Sequence, residues 1–513
     1  ALATITWTSA TNDNTNAVFT ILSDDGPNTN SDDFTVTVTA INDEPTLTAT
    51  ASNPTHTEDG DAASLFTNSA AGSGGAGGDV ESDEIDELTM TITNVQDTAE
   101  NIVFDGSTIP ISTAGTGTTS TNAIPWTVTL SSTTATLAFD GAGGIAFTTA
   151  ELVTALDAAT YTNTDQSPTA ANRLITITHL ADEGSDSSPH DRSAASGLPT
   201  TTITVAAVND APTATGTATL ASLAEDSAMV GATVSSLFGG GFSDTDGDSL
   251  GGICITSYDD DTSEGQWKYS TNDGGAWTAF GADISAAASG IFVAAADELA
   301  FDNAADWNGA ANTITAVLVD DSGTEPSTGA TTNCATTGTT TVYSTATIVL
   351  SHSISAVNDA PTSAAVTVSG VEDTLNTYTT GNFAFSDVDS GDSISRILIT
   401  IIESTGDLEC QNKNGASGGW TDCVADDYVA AGTDLRLTPA SDSTADVFFS
   451  FKVHDGTAYS ANAYVLTTTF SGVNDAPAFS SSSTSVDVNE GTTAVGTYAA
   501  TDAESDTISY ATS

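Results

Sequence analysis

The chain has 513 residues and carries 68 aspartates and glutamates against 7 lysines and arginines, which gives a formal net charge of −61 at pH 7. This balance excludes nucleic acid as a natural partner and disfavours an anionic membrane surface, because no basic surface can replace the counterions of phosphates. Hydrophobic residues make up 39% of the chain and lie in alternating runs, which argues against disorder. No run reaches the roughly 18 apolar residues that cross a bilayer, so no membrane insertion is expected within this stretch.

So large a negative charge makes a compact fold repel itself unless cations neutralise it. Bound divalent ions or a high-salt environment are therefore expected. A generally acidic surface that serves solubility in salty water is the alternative. The length is also too great for one hydrophobic core and predicts about three to four domains.

In chain order, the first feature is a group of strand-like runs within residues 1–40. They lie at Ala3–Trp7, Ala17–Leu22 and Phe34–Ala40, and Ser23–Gly26 predicts a turn. The second strand ends on an aspartate, and later strands end in the same way. Those later aspartates are Asp182, Asp320 and Asp455. An aspartate therefore recurs at the end of the corresponding strand in successive blocks of the chain.

A linker word of the form apolar-Asn-Asp-x-Pro divides the chain. Its Asn-Asp pairs are Asn42 and Asp43, Asn209 and Asp210, Asn358 and Asp359, and Asn474 and Asp475. Self-similarity of this kind predicts a repeat architecture. The resulting blocks are an incomplete repeat at 1–44, complete repeats at 45–211, 212–360 and 361–476, and an incomplete repeat at 477–513. Each complete block can close a small β-sandwich, so we expect an all-β fold of tandem antiparallel β-sandwich domains arranged end to end, cut from a longer array.

Two further acidic positions recur after the linker word. The first is a glutamate, at Glu58, Glu225 and Glu372. The second is an acidic pair, at Asp79 and Glu81, Asp244 and Asp246, Asp387 and Asp389, and Asp502 and Glu504. Alternation along an extended strand places both carboxylates of a pair on one side.

The middle of each repeat varies. The first repeat contains the only helix candidate, near Thr149–Ala158, and the second contains a hairpin expected to turn at Asp273-Gly274. The cysteines fall pairwise in the second and third repeats. They are Cys254, Cys334, Cys410 and Cys423. This distribution favours disulfides within repeats in an oxidising compartment, Cys410 with Cys423 closing the shorter loop, and free buried thiols are the alternative.

The recurring acids supply the ligands of calcium, a hard cation that takes roughly six to eight oxygens. If repeats stack end to end, each linker word lies beside the acidic pair and the late-strand aspartate of the next repeat. One junction would gather Asn209, Asp210, Asp244, Asp246 and Asp320. The next would gather Asn358, Asp359, Asp387, Asp389 and Asp455. The outer junctions offer Asn42, Asp43, Asp79, Glu81 and Asp182, and Asn474, Asp475, Asp502 and Glu504.

These motifs resemble the cadherin-like repeats of large bacterial surface proteins. The linker word resembles the Asp-x-Asn-Asp-x-x-Pro element of that family, the acidic pair its Asp-x-Asp element, and the late-strand aspartate its Ala-x-Asp turn. The resemblance implies that the early glutamate of a repeat serves the junction at its far end, so Glu58 would join Asn209 and Asp210. Likewise Glu225 would join Asn358 and Asp359, and Glu372 would join Asn474 and Asp475. The mid-repeat Asp-Arg-Glu element of the family is not recognisable.

Other chemistries fit the sequence less well. The segment from Asp244 begins like an EF-hand, but Ile255 stands where that loop needs a bidentate glutamate. The histidines are not at metal-ligand spacing, and no nucleophile elbow or phosphate loop is present. His454 beside Asp455 is more simply a turn residue next to a calcium ligand. No catalytic residue is therefore assigned, and an enzyme is not expected.

The function expected from the sequence is structural: a calcium-rigidified stalk or fibre shaft of a cell-surface adhesin, outside the cell. A self-assembling filament or sheath, in which copies of the chain complete each other's half-repeats, is a second hypothesis. A carbohydrate-binding or ice-binding module is a third. The residues that would contact such a ligand are Trp267, Trp277, Trp307 and Trp420.

Overall fold

The structure is a computed structural model that describes residues 4–9, 15–38, 45–72, 84–140, 146–182, 191–193, 197–402, 407–480, 485–493 and 496–511. It confirms the predicted fold class: the chain is all-β and consists of tandem antiparallel β-sandwiches arranged end to end. Within the described residues, no helix is long and apolar enough to span a membrane.

The chain begins with a two-stranded hairpin of β1 (Ala17–Asp24) and β2 (Thr29–Val36). Gly26 between them has a φ of 99°, which the turn requires and which glycine adopts at no steric cost. The turn predicted at Ser23–Gly26 is therefore confirmed. Residues 4–7 do not form the strand that was expected at Ala3–Trp7.

The first sandwich is built from a 9-stranded sheet, a 4-stranded sheet and a 2-stranded edge. Its elements are β3 (Thr46–Ala51), β4 (Thr55–Thr57), β5 (Ala63–Ser64), β6 (Phe66–Gly72), β7 (Glu84–Thr93), β8 (Glu100–Phe104), β9 (Ser107–Pro110), β10 (Gly115–Thr118), β11 (Pro125–Ser131), β12 (Thr134–Asp140), β13 (Phe147–Thr148), α1 (Thr149–Asp157), β14 (Thr160–Asn163), β15 (Asn172–Asp182), β16 (Asp191–Ser193) and β17 (Thr200–Ala206).

The predicted helix is confirmed as α1. Thr148 and Glu151 form a capping box at its N-terminus, and Leu152, Ala155 and Leu156 face the core, as their spacing indicates. The core runs between the two large sheets, where alternate residues of β7, β12 and β15 are buried. The late-strand Asp182 ends β15, as predicted.

The second sandwich repeats this plan with a 6-stranded and a 4-stranded sheet. Its elements are β18 (Thr213–Ala214), β19 (Ala218–Thr219), β20 (Leu223–Ala224), β21 (Ala232–Thr233), α2 (Val234–Phe238), β22 (Phe242–Ser243), β23 (Leu250–Ser257), β24 (Gly265–Ser270), β25 (Thr278–Ala279), β26 (Gly290–Ala294), β27 (Glu298–Asn303), β28 (Gly309–Ala310), β29 (Ile314–Asp320), β30 (Thr331–Thr332), β31 (Tyr343–Ser351) and β32 (Ser353–Ser355), with 3-10 turns at Gly239–Gly241 and Ala287–Ser289.

The second sandwich contains one short helix that the sequence did not predict and one turn that it did. The short helix α2, capped by Thr233, was not expected, because α1 was the only helix candidate and five residues leave too little periodicity to detect. The predicted turn is present: Asp273 and Gly274 have φ of 54° and 75°, and they connect the paired strands β24 and β25.

The third sandwich is the smallest, with a 5-stranded and a 4-stranded sheet. Its elements are β33 (Val366–Val371), β34 (Asn376–Tyr378), β35 (Arg396–Ile402), β36 (Asp407–Gln411), β37 (Trp420–Asp422), β38 (Tyr428–Ala430), β39 (Leu435–Thr438), β40 (Val447–His454) and β41 (Tyr464–Ser471), with 3-10 turns at Thr380–Asn382 and Lys413–Gly415. Beyond it, β42 (Ala478–Phe479) pairs with β43 (Ala500–Thr501).

The cysteines are paired within sandwiches, as expected. Cys254 is bonded to Cys334, and Cys410 is bonded to Cys423. The second bond closes the hairpin of β36 and β37, where Cys410 lies opposite Thr421.

One departure from antiparallel pairing positions the acidic residues. An early segment of each sandwich runs parallel to its last strand: β4 beside β17, β20 beside β32, and β33 beside β41. In each case the early segment ends beside the point where the last strand leaves the sandwich. The early glutamate is therefore brought next to the outgoing linker.

Candidate metal centre

We call the three seams that the structure describes junctions A, B and C. Junction A follows the first sandwich at 208–212, junction B follows the second at 357–361, and junction C follows the third at 473–477. The earlier linker with Asn42 and Asp43, and the pair Asp79 and Glu81, lie outside the described residues. Asp182, which was assigned to that earlier seam, is 5% exposed at the end of β15.

The same pair of hydrogen bonds fixes the start of each linker. The early glutamate donates its backbone N–H to the last strand and accepts the N–H of the linker valine on its carboxylate. The acceptors of the glutamate N–H are the carbonyls of Ala206, Ser355 and Ser471. The valine bonds are Val208 to Glu58 at 2.9 Å, Val357 to Glu225 at 2.6 Å and Val473 to Glu372 at 2.8 Å. Each early glutamate therefore lies beside the linker at the far end of its own repeat.

A second bond ties each linker to the sandwich that follows. The N–H of the linker aspartate donates to the second member of the acidic pair. These bonds are Asp210 to Asp246 at 2.6 Å, Asp359 to Asp389 at 2.7 Å and Asp475 to Glu504 at 2.9 Å. The pair itself is bent by an Asx turn, in which the N–H of Asp246 donates to Asp244 at 2.8 Å and that of Asp389 to Asp387 at 3.0 Å.

The late-strand aspartate lies beside the same linker. The Asn209 amide donates to Asp320 at 3.4 Å, and the Asn358 amide donates to Asp455 at 3.1 Å. Asp320 is fully buried. Junctions A and B therefore bring together the residues that the sequence assigned to each of them.

Buried oxygens at these junctions lack hydrogen-bond donors. At junction A these are Glu58 Oε1, Asn209 Oδ1 and Asp244 Oδ2, at junction B they are Asp359 Oδ2 and Asp387 Oδ2, and at junction C the atom is Asp475 Oδ2. Throughout the described chain, no lysine or arginine forms an ion pair with any of these carboxylates. A buried charge without a partner costs free energy, so the donor sets suit an external hard cation.

The electrostatics at junction A agree with this interpretation. Burial raises the pKa of Glu58, and the charges of Asp246, Asp210 and Asp59 raise it further, against the Val208 N–H, which lowers it. Burial likewise raises the pKa of Asp210, assisted by the charges of Asp246 and Asp59. These acids lie close enough to repel one another.

Junctions B and C show the same crowding. Burial raises the pKa of Asp359, and then the charges of Asp226 and Asp306 raise it further. At junction C burial, together with the charges of Asp373 and Asp442, raises the pKa of Asp475 to about 6. Asp455 behaves differently: burial opposes its ionisation, but the N–H groups of Ala458 and Thr457 and the Asn358 amide outweigh burial and lower its pKa.

Several acids join the clusters that the sequence assignment did not include. Asp248 groups with Asp244 and Asp246, and Asp392 groups with Asp387 and Asp389, each set having ligand atoms within 4.8 Å of one another. At junction C, Asp373 and Asp442 group with Asp475, and Glu372 and Glu504 form a second group with it. Asp502 accepts the N–H of Asp506 at 2.9 Å and belongs to neither of these groups.

Asp306 and Asp442 occupy equivalent turns before the late strand. Both have left-handed backbones, with φ of 55° and 54°. Each lies near a linker aspartate, since, besides burial, the charge of Asp306 raises the pKa of Asp359 and the charge of Asp442 raises the pKa of Asp475. In the sequence, the only signal is a single aspartate between the end of one strand and the start of the next. Asp59, Asp226 and Asp373 could have been found, because each directly follows an assigned glutamate.

Three of the four tryptophans considered for a carbohydrate platform make packing contacts. Trp267 is fully buried against Phe301, and its indole N–H donates to the Asn312 carbonyl at 2.6 Å. Trp307 also packs against Phe301, and Trp420 lies under the guanidinium of Arg436.

No protein-family model and no curated protein matches the chain. Among solved structures, the chain is similar to an endo-fucoidan hydrolase of glycoside hydrolase family 107, with 13% identity and a TM-score of 0.19 over 73% of this chain and 42% of that one. It is also similar to the protocadherin GammaB4 extracellular domain, with 13% identity and a TM-score of 0.36 over 90% and 57%. For the EC1-4 segment of Drosophila N-cadherin the identity is 10% and the TM-score 0.26 over 89% and 83%.

Proposed function

We propose that this protein is an extracellular structural protein whose tandem sandwiches are held in fixed orientation by calcium ions at their junctions. The observation that carries the proposal is the set of buried carboxylate and amide oxygens at junctions A, B and C that have neither a hydrogen-bond donor nor a basic partner. They recur at equivalent positions: Asp244 matches Asp387, and Asp359 matches Asp475.

Calcium suits these donor sets because it accepts many oxygen ligands in irregular geometry. When bound, it supplies the positive charge that the junctions lack. At junction A the ligands are Glu58, Asp59, Asn209, Asp210, Asp244, Asp246, Asp248 and Asp320. At junction B they are Glu225, Asp226, Asp306, Asn358, Asp359, Asp387, Asp389, Asp392 and Asp455. At junction C they are Glu372, Asp373, Asp442, Asn474, Asp475 and Glu504.

Each ion set joins two sandwiches, since Glu58 and Asp59 come from the first sandwich and Asp244, Asp246 and Asp320 from the second. The repeat units are then 45–211, 212–360 and 361–476, with parts of further repeats at 1–44 and 477–513. Such a chain would serve as the stalk or fibre shaft of a cell-surface adhesin. Its two disulfides suit an oxidising space outside the cell.

Small-angle scattering of the whole chain in calcium and in chelator tests this proposal. Calcium should give an extended particle of low flexibility, and chelator should give a flexible chain of intact sandwiches, because repulsion among the junction acids is then unbalanced. Circular dichroism should show the same strand content in both conditions. The proposal is wrong if the maximum dimension and flexibility do not depend on calcium.

A further inference from the structure

The segment 321–342 of the second sandwich covers the outer face of its large sheet. It follows the late-strand Asp320 and is bonded to β23 by the Cys254–Cys334 disulfide. Beneath it lies a small separate core of fully or almost fully buried side chains. They are Cys254, Phe292, Val317, Val319 and Cys334, with Val342 and Tyr343 packed against them. A Cβ atom at Gly290 would lie 2.7 Å from both sulfurs, so the disulfide rests directly on the backbone of β26.

The far end of this segment touches junction A. The N–H of Ala211 in the linker donates to the Thr339 carbonyl at 2.7 Å, and the Asn209 amide donates to the Thr341 carbonyl at 3.3 Å. The N–H of Asp320 donates to the Val342 carbonyl at 3.1 Å. The segment therefore holds two linker residues and the late-strand aspartate through backbone groups.

The turn that makes these contacts is strained. Thr339 has a φ of 51°, a left-handed backbone that is rare for a β-branched residue, and it follows Gly338 at 77°. Such a conformation persists only when its surroundings impose it. Bonds from Gly338 to the Tyr343 carbonyl and from Thr341 to the Gly338 carbonyl close the turn, and the small core anchors it through Val342 and Tyr343.

Among the residues that the structure describes, junction B has no such support. The third sandwich connects Asp455 to β41 by the short segment 456–463. The carboxylates of Asp389 and Asp455 accept its hydrogen bonds from the linker residues 358–359. Its own disulfide, Cys410–Cys423, closes the β36–β37 hairpin rather than a segment beside the linker.

We propose that the Cys254–Cys334 disulfide positions the metal-binding residues of junction A. It holds segment 321–342 so that Thr339 and Thr341 fix the linker backbone, which orients Asn209 and Asp210 towards the ion. The inference rests on the proposed calcium function and deepens it, because it makes one junction depend on a covalent bond that the others lack.

The test is a calcium titration by calorimetry on the full chain and on the double variant Cys254→Ser with Cys334→Ser. Groups that orient metal ligands typically change affinity by roughly 10- to 100-fold, so the variant should lose about tenfold in affinity at one subset of sites. The matched control, Cys410→Ser with Cys423→Ser, should titrate like the unaltered chain. In an Asp246→Asn background, where junction A already binds calcium weakly, removing Cys254–Cys334 should have a smaller further effect than in the unaltered chain, because both changes act on the same site.

Near-ultraviolet circular dichroism in calcium reports whether the double variant folds. If it does not, Val342→Ala decides, because that change keeps the disulfide and weakens only the packing of the contacting turn, and it should weaken the same sites less. Unchanged affinity in the variant that folds, or equal losses in both cysteine pairs, overturns the inference alone. An unaltered chain that binds no calcium overturns the proposed function and this inference together.

Discussion

The interior of the first sandwich and junction A both bury carboxylates, but they balance the charge differently. In the sandwich, Asp97 and Glu100 are 7% and 0% exposed and surround the fully buried Arg173, whose guanidinium lies 2.8 Å from Asp97 and 2.9 Å from Glu100. Tyr161 donates to Glu100 at 2.9 Å. At junction A, Glu58 is also 7% exposed, yet no basic residue of the described chain is paired with it.

This difference means that the folding of a sandwich and the orientation between neighbouring sandwiches rest on different sources of positive charge. The first sandwich carries its own cation, Arg173, so its buried carboxylates need no ion from the solution. The junction has acids from two sandwiches and no basic partner among the described residues, so under the proposed function the relation between the sandwiches depends on an ion from outside. Under the proposed function, a chain with a net charge of −61 can therefore keep stable domains while calcium controls the flexibility between them.

The largest expected effect comes from removing the internal cation. Arg173→Met should destabilise the first sandwich by about 3–5 kcal/mol, because it leaves two buried carboxylates unpaired. Differential scanning calorimetry should show the loss equally in calcium and in chelator. Lys268→Met is the control, since it breaks a partly exposed pair with Asp302 and should cost at most about 1 kcal/mol. If calcium restored the stability lost in Arg173→Met, the claim that the sandwich balances its buried charge without a bound ion would be contradicted.

The complementary change removes one acid from the junction. Asp246→Asn should weaken calcium binding at junction A by roughly 10- to 100-fold and leave the melting temperatures in chelator unchanged or higher, because it relieves repulsion. The exposed Asp422 offers a matched control, and Asp422→Asn should leave the titration unaltered. Lower melting temperatures in chelator would mean that Asp246 stabilises a sandwich rather than a junction.

A pH series should give opposite trends in calcium and in chelator at junction C. Because the pKa of Asp475 is raised to about 6, the ordered junction without metal binds more protons than the disordered one between the usual pKa and this value. In chelator, order should therefore increase as pH falls through about 6, whereas in calcium it should decrease as ligands are protonated. The rate of limited proteolysis within residues 473–477 reports how ordered the linker of junction C is. Asp475→Asn should remove the chelator trend, and its persistence in that variant would exclude Asp475 as its source.

The smallest expected effect concerns a neutral buried group. His352 in the second sandwich occupies the position that Ile203 has in the first, and burial lowers its pKa below 6.5, with the Leu220 carbonyl opposing the shift. The unfolded chain then binds a proton that the folded sandwich does not, so its contribution to stability is complete above pH 6.5 and is lost progressively below it. His352→Ile should flatten the acid side of the stability curve of the second sandwich. An unaltered curve would show that other groups set the acid limit.

The sequence predicted the fold class, α1 and the disulfide pairs because each leaves a pattern in the chain: alternation, the spacing of Leu152, Ala155 and Leu156, and two cysteines in each of two repeats. The recurring linker word also predicted which acids meet at junctions A and B. Asp306 and Asp442 were missed because a lone aspartate in a turn has no pattern of its own, and only the fold brings it to the linker. Segment 321–342 could not be foreseen, since the contact of Thr339 with Ala211 depends on a strained turn and on packing beneath a disulfide.

The most direct test is to locate the ions themselves. Crystals of the chain grown with calcium, or soaked with a lanthanide in its place, should show anomalous difference peaks among the carboxylates of junctions A and B, bounded by Glu58 with Asp246 and by Glu225 with Asp389. Peaks confined to other acidic turns, or an ordered structure in which these carboxylates hold no ion at saturating calcium, would contradict the account.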